Sequence, residues 1–287
     1  MCGTRDTAAL LIVAVSGYHM SFLQHETEIR IGCFLGIFII IAVMENVVPR
    51  RPLIVKKSLR WFGNLSVQLV NGVIPRLLFP ILPVGMAALW TQKGWGLLNT
   101  VPLPATAAIL LSLLVLDMAI YAQHVLFHRI YFFWRIHRMH HTDMDLDLTS
   151  ALRFHPLEIM ISLLIKMAVV AALGPPAVAV FIFEVILNGM AMFNHGNFRI
   201  PARPDNLLRR IVVTPDMHLV HHSIVRQESN HNFGFNLSWW DRLFGTYQAE
   251  PEAGREGMII GLTGFLDVRY ARFGKMILNP FEKGDRA

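Results

Sequence analysis

The sequence predicts an all-α protein, a polytopic membrane helix bundle with a histidine-rich cap on its cytoplasmic side, and three observations lead to this class. First, 54% of the 287 residues are hydrophobic and only 16% are charged. The mean hydropathy of +0.45 is accordingly above the usual range of soluble domains. Second, apolar stretches of about membrane-spanning length recur along the chain. Third, histidines gather in three blocks with helical spacing.

The excess of positive charge indicates a membrane surface rather than nucleic acid. The net charge is +6 and the isoelectric point is about 9.6. Basic residues cluster beside an apolar stretch, where anionic head groups and the positive-inside rule account for them. No basic and aromatic recognition module is visible, so we predict no nucleic-acid partner. The cluster consists of Arg50, Arg51, Lys56, Lys57 and Arg60.

Residues 1–60 predict two N-terminal transmembrane spans. Residues 7–23 are mostly apolar, and no small-residue cleavage site follows them, so they predict an uncleaved span rather than a signal peptide. Residues 31–48 are about long enough to cross a bilayer and end at the sequence PRRP. This end should face the cytoplasm because it carries positive charge.

Residues 61–250 predict the catalytic domain of the bundle. The apolar stretch 64–90 is broken by three prolines, which predicts a kinked span or a hairpin. Residues 105–121 then cross back and run without a break signal into the first histidines. By alternation from the arginine-rich loop, these histidines emerge on the cytoplasmic side.

The second half of this domain predicts a helical hairpin followed by the cap. Residues 157–173 and 177–193 are apolar and joined by Gly-Pro-Pro. From residue 194 onward the chain is polar, which predicts short helices that return the last histidines to the first ones. Residues 251–287 predict a C-terminal tail.

The histidine spacing predicts a dimetal site. Histidines four residues apart on a helix lie on one face and can share a metal ion. Eight imidazoles are too many for one ion and suit two, although imidazole ligands alone do not choose among Zn, Cu, Fe and Ni. The blocks are HxxxH (His124, His128), HxxHH (His137, His140, His141) and a second HxxHH (His218, His221, His222).

These three blocks resemble the histidine boxes of the fatty acid hydroxylase and sterol desaturase superfamily of membrane di-iron enzymes. Further stretches are similar to the bacterial branch of that superfamily, and the resemblance covers about residues 45–247. The stretches are TSALRFHPLE at 149–158, FNHGN at 193–197, Thr214-Pro215 and NFGFNLSWWDRLFGTY at 232–247.

The resemblance implies two iron ions, held almost entirely by imidazoles, that activate O2 against a C–H bond of a lipid, so that a fatty acyl, sterol or related lipid is hydroxylated or desaturated at the membrane surface. Zinc could replace iron in the isolated protein. The family pattern implies His195 as a ninth ligand, and it leaves His155 and His231 open. The implied metal ligands are therefore His124, His128, His137, His140, His141, His195, His218, His221 and His222.

Two polar residues are predicted to support the site. Asp117 lies seven residues before His124 in an apolar span, where a carboxylate needs a partner, so we expect it to accept a hydrogen bond from a ligating histidine. Asn194, beside His195, is expected in a similar role. The aspartates of the DMDLD run are expected in an exposed acidic loop, with iron ligation as the alternative. They are Asp143, Asp145 and Asp147.

The partners follow from the chemistry. Oxidation of a C–H bond by O2 consumes electrons that this chain cannot supply, because it has two cysteines, no glycine-rich nucleotide fingerprint and no haem motif. We therefore expect an external electron donor, a cytochrome b5-like protein, a ferredoxin or a reductase, besides O2 and a lipid substrate. Arg129, Arg135 and Arg138 are candidate docking charges. The competing hypotheses are a membrane haem protein that transfers electrons and a histidine-rich metal transporter.

Overall fold

A computed structural model describes residues 25–284, so the predicted first span at 7–23 lies outside the described residues. Within them the protein is all-helical and contains no strand, which confirms the predicted fold class. Three isolated antiparallel bridges tie loops together.

Five segments of the described chain are long and apolar enough to cross a membrane, the pattern of an integral membrane protein. They are Glu26–Val47, Lys57–Thr100, Ala105–Arg129, Pro156–Leu173 and Ala177–His195. The second segment contains helices α2 and α3 and the short helix α4. The long helices are α1 (Glu26–Val47), α2 (Lys57–Leu78), α3 (Pro83–Lys93), α5 (Ala105–Arg129), α6 (Tyr131–His141), α7 (Pro156–Leu173) and α8 (Ala177–His195), and α4 is Leu97–Thr100.

The prolines of the second segment divide it as expected. Pro75 lies in the last turns of α2, and the chain leaves the helix at Phe79, whose backbone is extended. Pro83 occupies the first turn of α3, where its missing N–H costs no hydrogen bond. Gly94 ends α3 in the left-handed conformation (φ 66°).

The predicted hairpin of α7 and α8 is present, and α8 lies at the centre of the bundle. Gly174 ends α7 with φ 65° and ψ 49°, a conformation that favours glycine. A Cβ on Gly96 would lie 2.4 Å from the Cα of Gly174, so this turn also needs a close backbone approach. Helix α8 packs against α1, α3, α5 and the cap helix α10 (Pro215–His221). Its last residue, His195, therefore ends under the cap.

The cap is built from short helices, as predicted. The segment after residue 250 packs on the bundle, because buried Arg153 donates to the carbonyl of Tyr270 and buried Arg138 donates to that of Asn279. The short helices are α9 (Ala202–Leu208), α10, α11 (Arg226–Ser229), α12 (Trp239–Leu243), α13 (Gly254–Gly257) and α14 (Phe273–Leu278), with 3₁₀ turns at Ser150–Leu152, Val268–Ala271 and Asn279–Phe281.

Candidate metal centre

Nine buried histidines converge at one end of the bundle in two groups. Within each group, the nitrogen atoms that could bind a metal lie within 4.8 Å of one another. Each of the nine side chains is 4% exposed or less. The first group is His124, His128, His137, His141 and His221, and the second is His140, His195, His218 and His222.

Each HxxHH block contributes to both groups. On α6, His137 and His141 are one turn apart and face the first group, whereas His140 points to the second. On α10 the division is reversed, because His221 belongs to the first group while the other two histidines of the block belong to the second. Adjacent helical positions differ in direction by about 100°, so one helix can serve two metal positions.

The imidazole nitrogens meet at distances that suit a shared metal. Metal–imidazole bonds of about 2.0–2.1 Å place neighbouring ligand nitrogens about 3 Å apart. Among residues 25–284, Nε2 of His128 and of His221 are buried without a hydrogen-bond partner. The donor set therefore fits metal ions. The Nε2–Nε2 distances are 3.2 Å for His124–His137 and for His137–His141, 3.1 Å for His140–His195 and for His195–His218, and 3.3 Å for His218–His222.

Hydrogen bonds at Nδ1 orient several of the rings. Where Nδ1–H donates to an acceptor, the tautomer is fixed and Nε2 keeps its lone pair for a metal. Three of these acceptors are backbone carbonyls and one is a carboxylate. The pairs are His124 to Phe233 O (2.8 Å), His221 to His231 O (2.8 Å), His195 to Ala191 O (2.7 Å) and His137 to Glu158 Oε1 (2.7 Å).

Burial keeps five of the converging histidines, those on α6 and at α10 described next, in the neutral form that binds metal. Burial, followed by repulsion from neighbouring imidazoles, lowers the pKa of each of four of them well below its usual value. Burial also lowers the pKa of His221, to about 3, although its hydrogen bond to the His231 carbonyl opposes the shift. The first four are His140, His141, His218 and His222.

The comparison with known proteins finds one family model that matches the part of the chain carrying the site. The sequence model described as fatty acid hydroxylase matches residues 109–246, a stretch that contains all nine converging histidines. Over this stretch, just under half of its length, the chain is similar to the fatty acid hydroxylase family.

Proteins similar to this chain include lipid hydroxylases and monooxygenases. The chain is 25% identical over 271 residues to an ornithine lipid hydroxylase of Rhizobium tropici, covering 89% of this chain and 78% of that protein. It is 27% identical to the alkylglycerol monooxygenase of Homo sapiens, covering 53% of this chain and 32% of that protein. It is 22% identical to the cholesterol 25-hydroxylase of Rattus norvegicus, covering 51% of this chain and 49% of that protein.

These matches confirm the resemblance seen in the sequence and the oxidoreductase class. The chain spans about a third of the human alkylglycerol monooxygenase and about half of the rat cholesterol 25-hydroxylase. No solved structure matches this chain.

Asp117 does not contact a histidine as expected. Its Oδ2 accepts hydrogen bonds from Trp240 Nε1 at 2.8 Å and from the backbone N–H of Leu237 at 3.2 Å. The carboxylate therefore anchors the WWDRLF segment to α5 instead of orienting a ligand. Asn194 is 1% exposed and donates to the carbonyl of Phe235 at 3.0 Å.

The two histidines left open by the sequence lie outside both groups. His155 begins α7: its Nδ1 accepts from the N–H of Leu157 and its Nε2 donates to the carbonyl of Ile277. Nδ1 of His231 donates to the carbonyl of Gln227. The backbone carbonyl of His231 is the part that reaches the site, where it accepts a hydrogen bond from His221.

The acidic run is buried, so the expectation of an exposed loop was wrong. Asp143, Asp145 and Asp147 are 2%, 5% and 1% exposed. Buried Arg60 donates to both carboxylate oxygens of Asp143, at 3.0 and 2.9 Å, and to Asp147. Asp145 accepts instead from backbone N–H groups of the α1–α2 loop. The alternative of iron ligation also fails, since none of the three belongs to either histidine group.

One predicted docking charge is buried, and two functional residues escaped the sequence interpretation. Arg138 is fully buried and donates to the carbonyls of Asn279 and Glu282, so it is unavailable to an electron donor. Arg60 and Glu158 were missed as supports of the site. The carboxylate two residues after a His-Pro pair, in the first turn of α7, was the available signal for Glu158.

Proposed function

We propose that this protein hydroxylates a C–H bond of a membrane lipid with O2, using two iron ions held by the nine converging histidines. The observation that carries the proposal is the arrangement of these imidazoles as one group of five and one of four at the ends of apolar helices. The hydroxylases and monooxygenases among the relatives support it. In balanced form, R–H, O2, two electrons and two protons give R–OH and water.

The choice of iron rests on the chemistry required. Imidazole suits iron, zinc, copper and nickel. Zinc has no redox chemistry and cannot pass electrons to O2, although it could fill the same ligands in the isolated protein. When bound, the iron pair would supply the activation of O2 and the oxidation of the C–H bond.

The residues of the chain orient the ligands and exclude water. The Nδ1–H groups of His124, His195 and His221 donate hydrogen bonds to backbone carbonyls, so their Nε2 atoms remain available as ligands. Aromatic rings enclose the two groups: Phe233 lies 5.1 Å from the ring of His128, and Phe154 stacks on His140 at 4.3 Å. Such a dry, rigid setting protects a reactive oxidant from side reactions.

The orientation and the electron supply complete the proposal. The basic residues of the α1–α2 loop, Arg50, Arg51 and Lys56, lie at the histidine end of the bundle, since Arg51 bonds to Asn197, two residues after His195. The positive-inside rule then supports a site on the cytoplasmic side, at the inner membrane if the source is bacterial. A cytoplasmic cytochrome b5-like protein, ferredoxin or reductase would supply the electrons.

The proposal is tested on protein reconstituted in lipid nanodiscs. We expect about two iron ions per chain, O2 uptake that depends on reductant and lipid, and transfer of one isotope-labelled oxygen atom from O2 to the lipid. Comparative lipidomics of cells with and without the protein then identifies the product. A His137→Ala variant should lose both metal and product. Full product formation by that variant would contradict the proposal.

The alternatives predict different metal chemistry. A haem iron takes two axial ligands at most, whereas the two groups here contain five and four imidazoles. A transporter should place its histidines along several spans, but here all nine gather at one end. A Soret absorption band in the purified protein, or metal transport without O2 uptake, would favour those alternatives.

A further inference from the structure

A small pocket opens beside the second histidine group. Its volume is about 110 Å³, and His195 and Asn194 form part of its wall. Apolar parts of the wall include Leu146, Leu219 and Ile260. Asp145 and Asp216 also line the pocket, but their carboxylates are engaged, the first by backbone N–H groups and the second by Arg50. Since the pocket is smaller than the ~150 Å³ cavity that accommodates benzene, it suits a compact polar group and not a whole acyl chain.

Arg51 lines this pocket without a direct ion-pair partner in the described part of the chain. Its Nη2 donates to the carbonyl of Met258 at 2.7 Å, and its Nη1 has no hydrogen-bond partner among the described residues. No carboxylate of residues 25–284 forms an ion pair with it. The neighbouring Arg50, in contrast, pairs with Asp216 at 3.0 Å. Burial, and then repulsion from Arg50, lowers the pKa of the Arg51 guanidinium, although attraction to Asp145 opposes the shift.

The backbone of Arg51 is held firmly beside the histidines. Its N–H donates to Oδ1 of Asn197 at 3.0 Å, and Nδ2 of Asn197 donates back to its carbonyl at 2.8 Å. Asn197 is two residues from His195, so this pair of hydrogen bonds ties the position of Arg51 to the second histidine group. A ligand bound by Arg51 is therefore held at a fixed position relative to the second histidine group.

The mouth of the pocket offers apolar surface for a hydrocarbon chain. Ile54 and Ile259 line the pocket and are 79% and 56% exposed. Large exposed apolar side chains beside a polar pocket are typical of a site that binds an amphiphile.

We propose that this pocket binds the anionic group of the lipid substrate, a carboxylate or a phosphate, through Arg51, with the hydrocarbon chain leaving over Ile54 and Ile259. The inference rests on the proposed function and specifies its substrate class as an anionic lipid. A guanidinium suits such a group because its planar N–H donors match carboxylate and phosphate oxygens. The carbons next to the anionic group, and not the far end of the chain, then lie closest to the second histidine group.

The test measures binding without turnover. The metal-loaded protein in a neutral maltoside detergent is titrated separately with octanoate, octyl phosphate and octyltrimethylammonium. We expect one or both anions to bind at least about tenfold more tightly than the cation, and the two anion arms distinguish a carboxylate from a phosphate. Arg51→Gln should lose about tenfold in anion affinity. Arg199→Gln is the matched control, because it removes an equal charge from a side chain that is 58% exposed.

A second variant keeps the test decisive if Arg51→Gln fails to fold. Ile259→Asp places a carboxylate at the exposed mouth, so it should weaken anion binding and strengthen cation binding. Equal binding of anions and cation by the wild type, or unchanged anion binding in the folded variants, overturns the inference. O2 uptake with a neutral lipid alone would support the proposed function but overturn this inference. Anion binding without any turnover would support this inference but contradict the proposed function.

Discussion

Glu158 accepts a hydrogen bond from Nδ1 of His137 at 2.7 Å, so a buried carboxylate stands directly behind one imidazole of the five-histidine group. In the four-histidine group, Nδ1 of His140, His218 and His222 has no hydrogen-bond partner within residues 25–284. A carboxylate behind a histidine raises its basicity and fixes its tautomer. The two metal positions are therefore chemically unequal, and the five-histidine position is the better supported.

Replacing Glu158 with alanine should weaken metal binding at the five-histidine group. Loss of such an outer carboxylate typically costs about 10–100-fold in metal affinity. Competitive chelator titration followed by metal analysis measures the change. Glu256→Ala is the control, because its side chain is 91% exposed and belongs to neither histidine group. Equal metal retention by the two variants would show that Glu158 does not support the site.

Arg60 should be among the residues most important for stability. Its guanidinium is fully buried and pairs with Asp143 and Asp147, while Nη2 also donates to Ser150 at 2.9 Å. Arg60→Met leaves these carboxylates buried without their counter-ion, which costs about 3–5 kcal/mol. Thermal unfolding in detergent measures the loss.

The matched control for this prediction is Arg76→Met. Arg76 is exposed and donates only to a carbonyl of its own helix, that of Gly72. Its substitution should change the free energy of unfolding by less than about 0.5 kcal/mol. Similar unfolding temperatures for the two variants would contradict the stabilising role of Arg60.

The metal-free protein should lose stability in acid. Burial lowers the pKa of His221 from 6.5 to about 3 in the folded state. Between these pH values the unfolded chain binds more protons than the folded one, so stability is complete above about pH 6.5 and falls as the pH drops towards 3. His221 alone should cost about 2 kcal/mol at pH 5.

Unfolding temperatures of the metal-free protein between pH 8 and pH 5 measure this effect. His221→Gln removes the titrating group and should flatten part of the slope, whereas His25→Gln, on a side chain outside both histidine groups, should leave it unchanged. A flat profile in the wild type would contradict the buried neutral state of these imidazoles.

Much of the site could be predicted because helical spacing fixes the relative directions of side chains before any tertiary contact forms. The one-turn separation of His124 and His128 is such a case. The division of each HxxHH block between two groups could not be predicted, since it depends on how α6 and α10 are rotated in the bundle. Long-range partners were missed for the same reason: Arg60 lies 83 residues before Asp143, and Trp240 lies 123 residues after Asp117.

His195 and His231 give the sharpest test of the ligand set. His195 completes the four-histidine group through Nε2, so His195→Ala should lower the metal content from about two ions per chain towards one. His231 supplies only its backbone carbonyl to His221, and this carbonyl survives in His231→Ala, which should keep both ions. Metal analysis of the two purified variants, matched in expression and unfolding temperature, makes the comparison. Two ions in His195→Ala, or an equal loss in His231→Ala, would mean that the four-histidine group is not the second metal position.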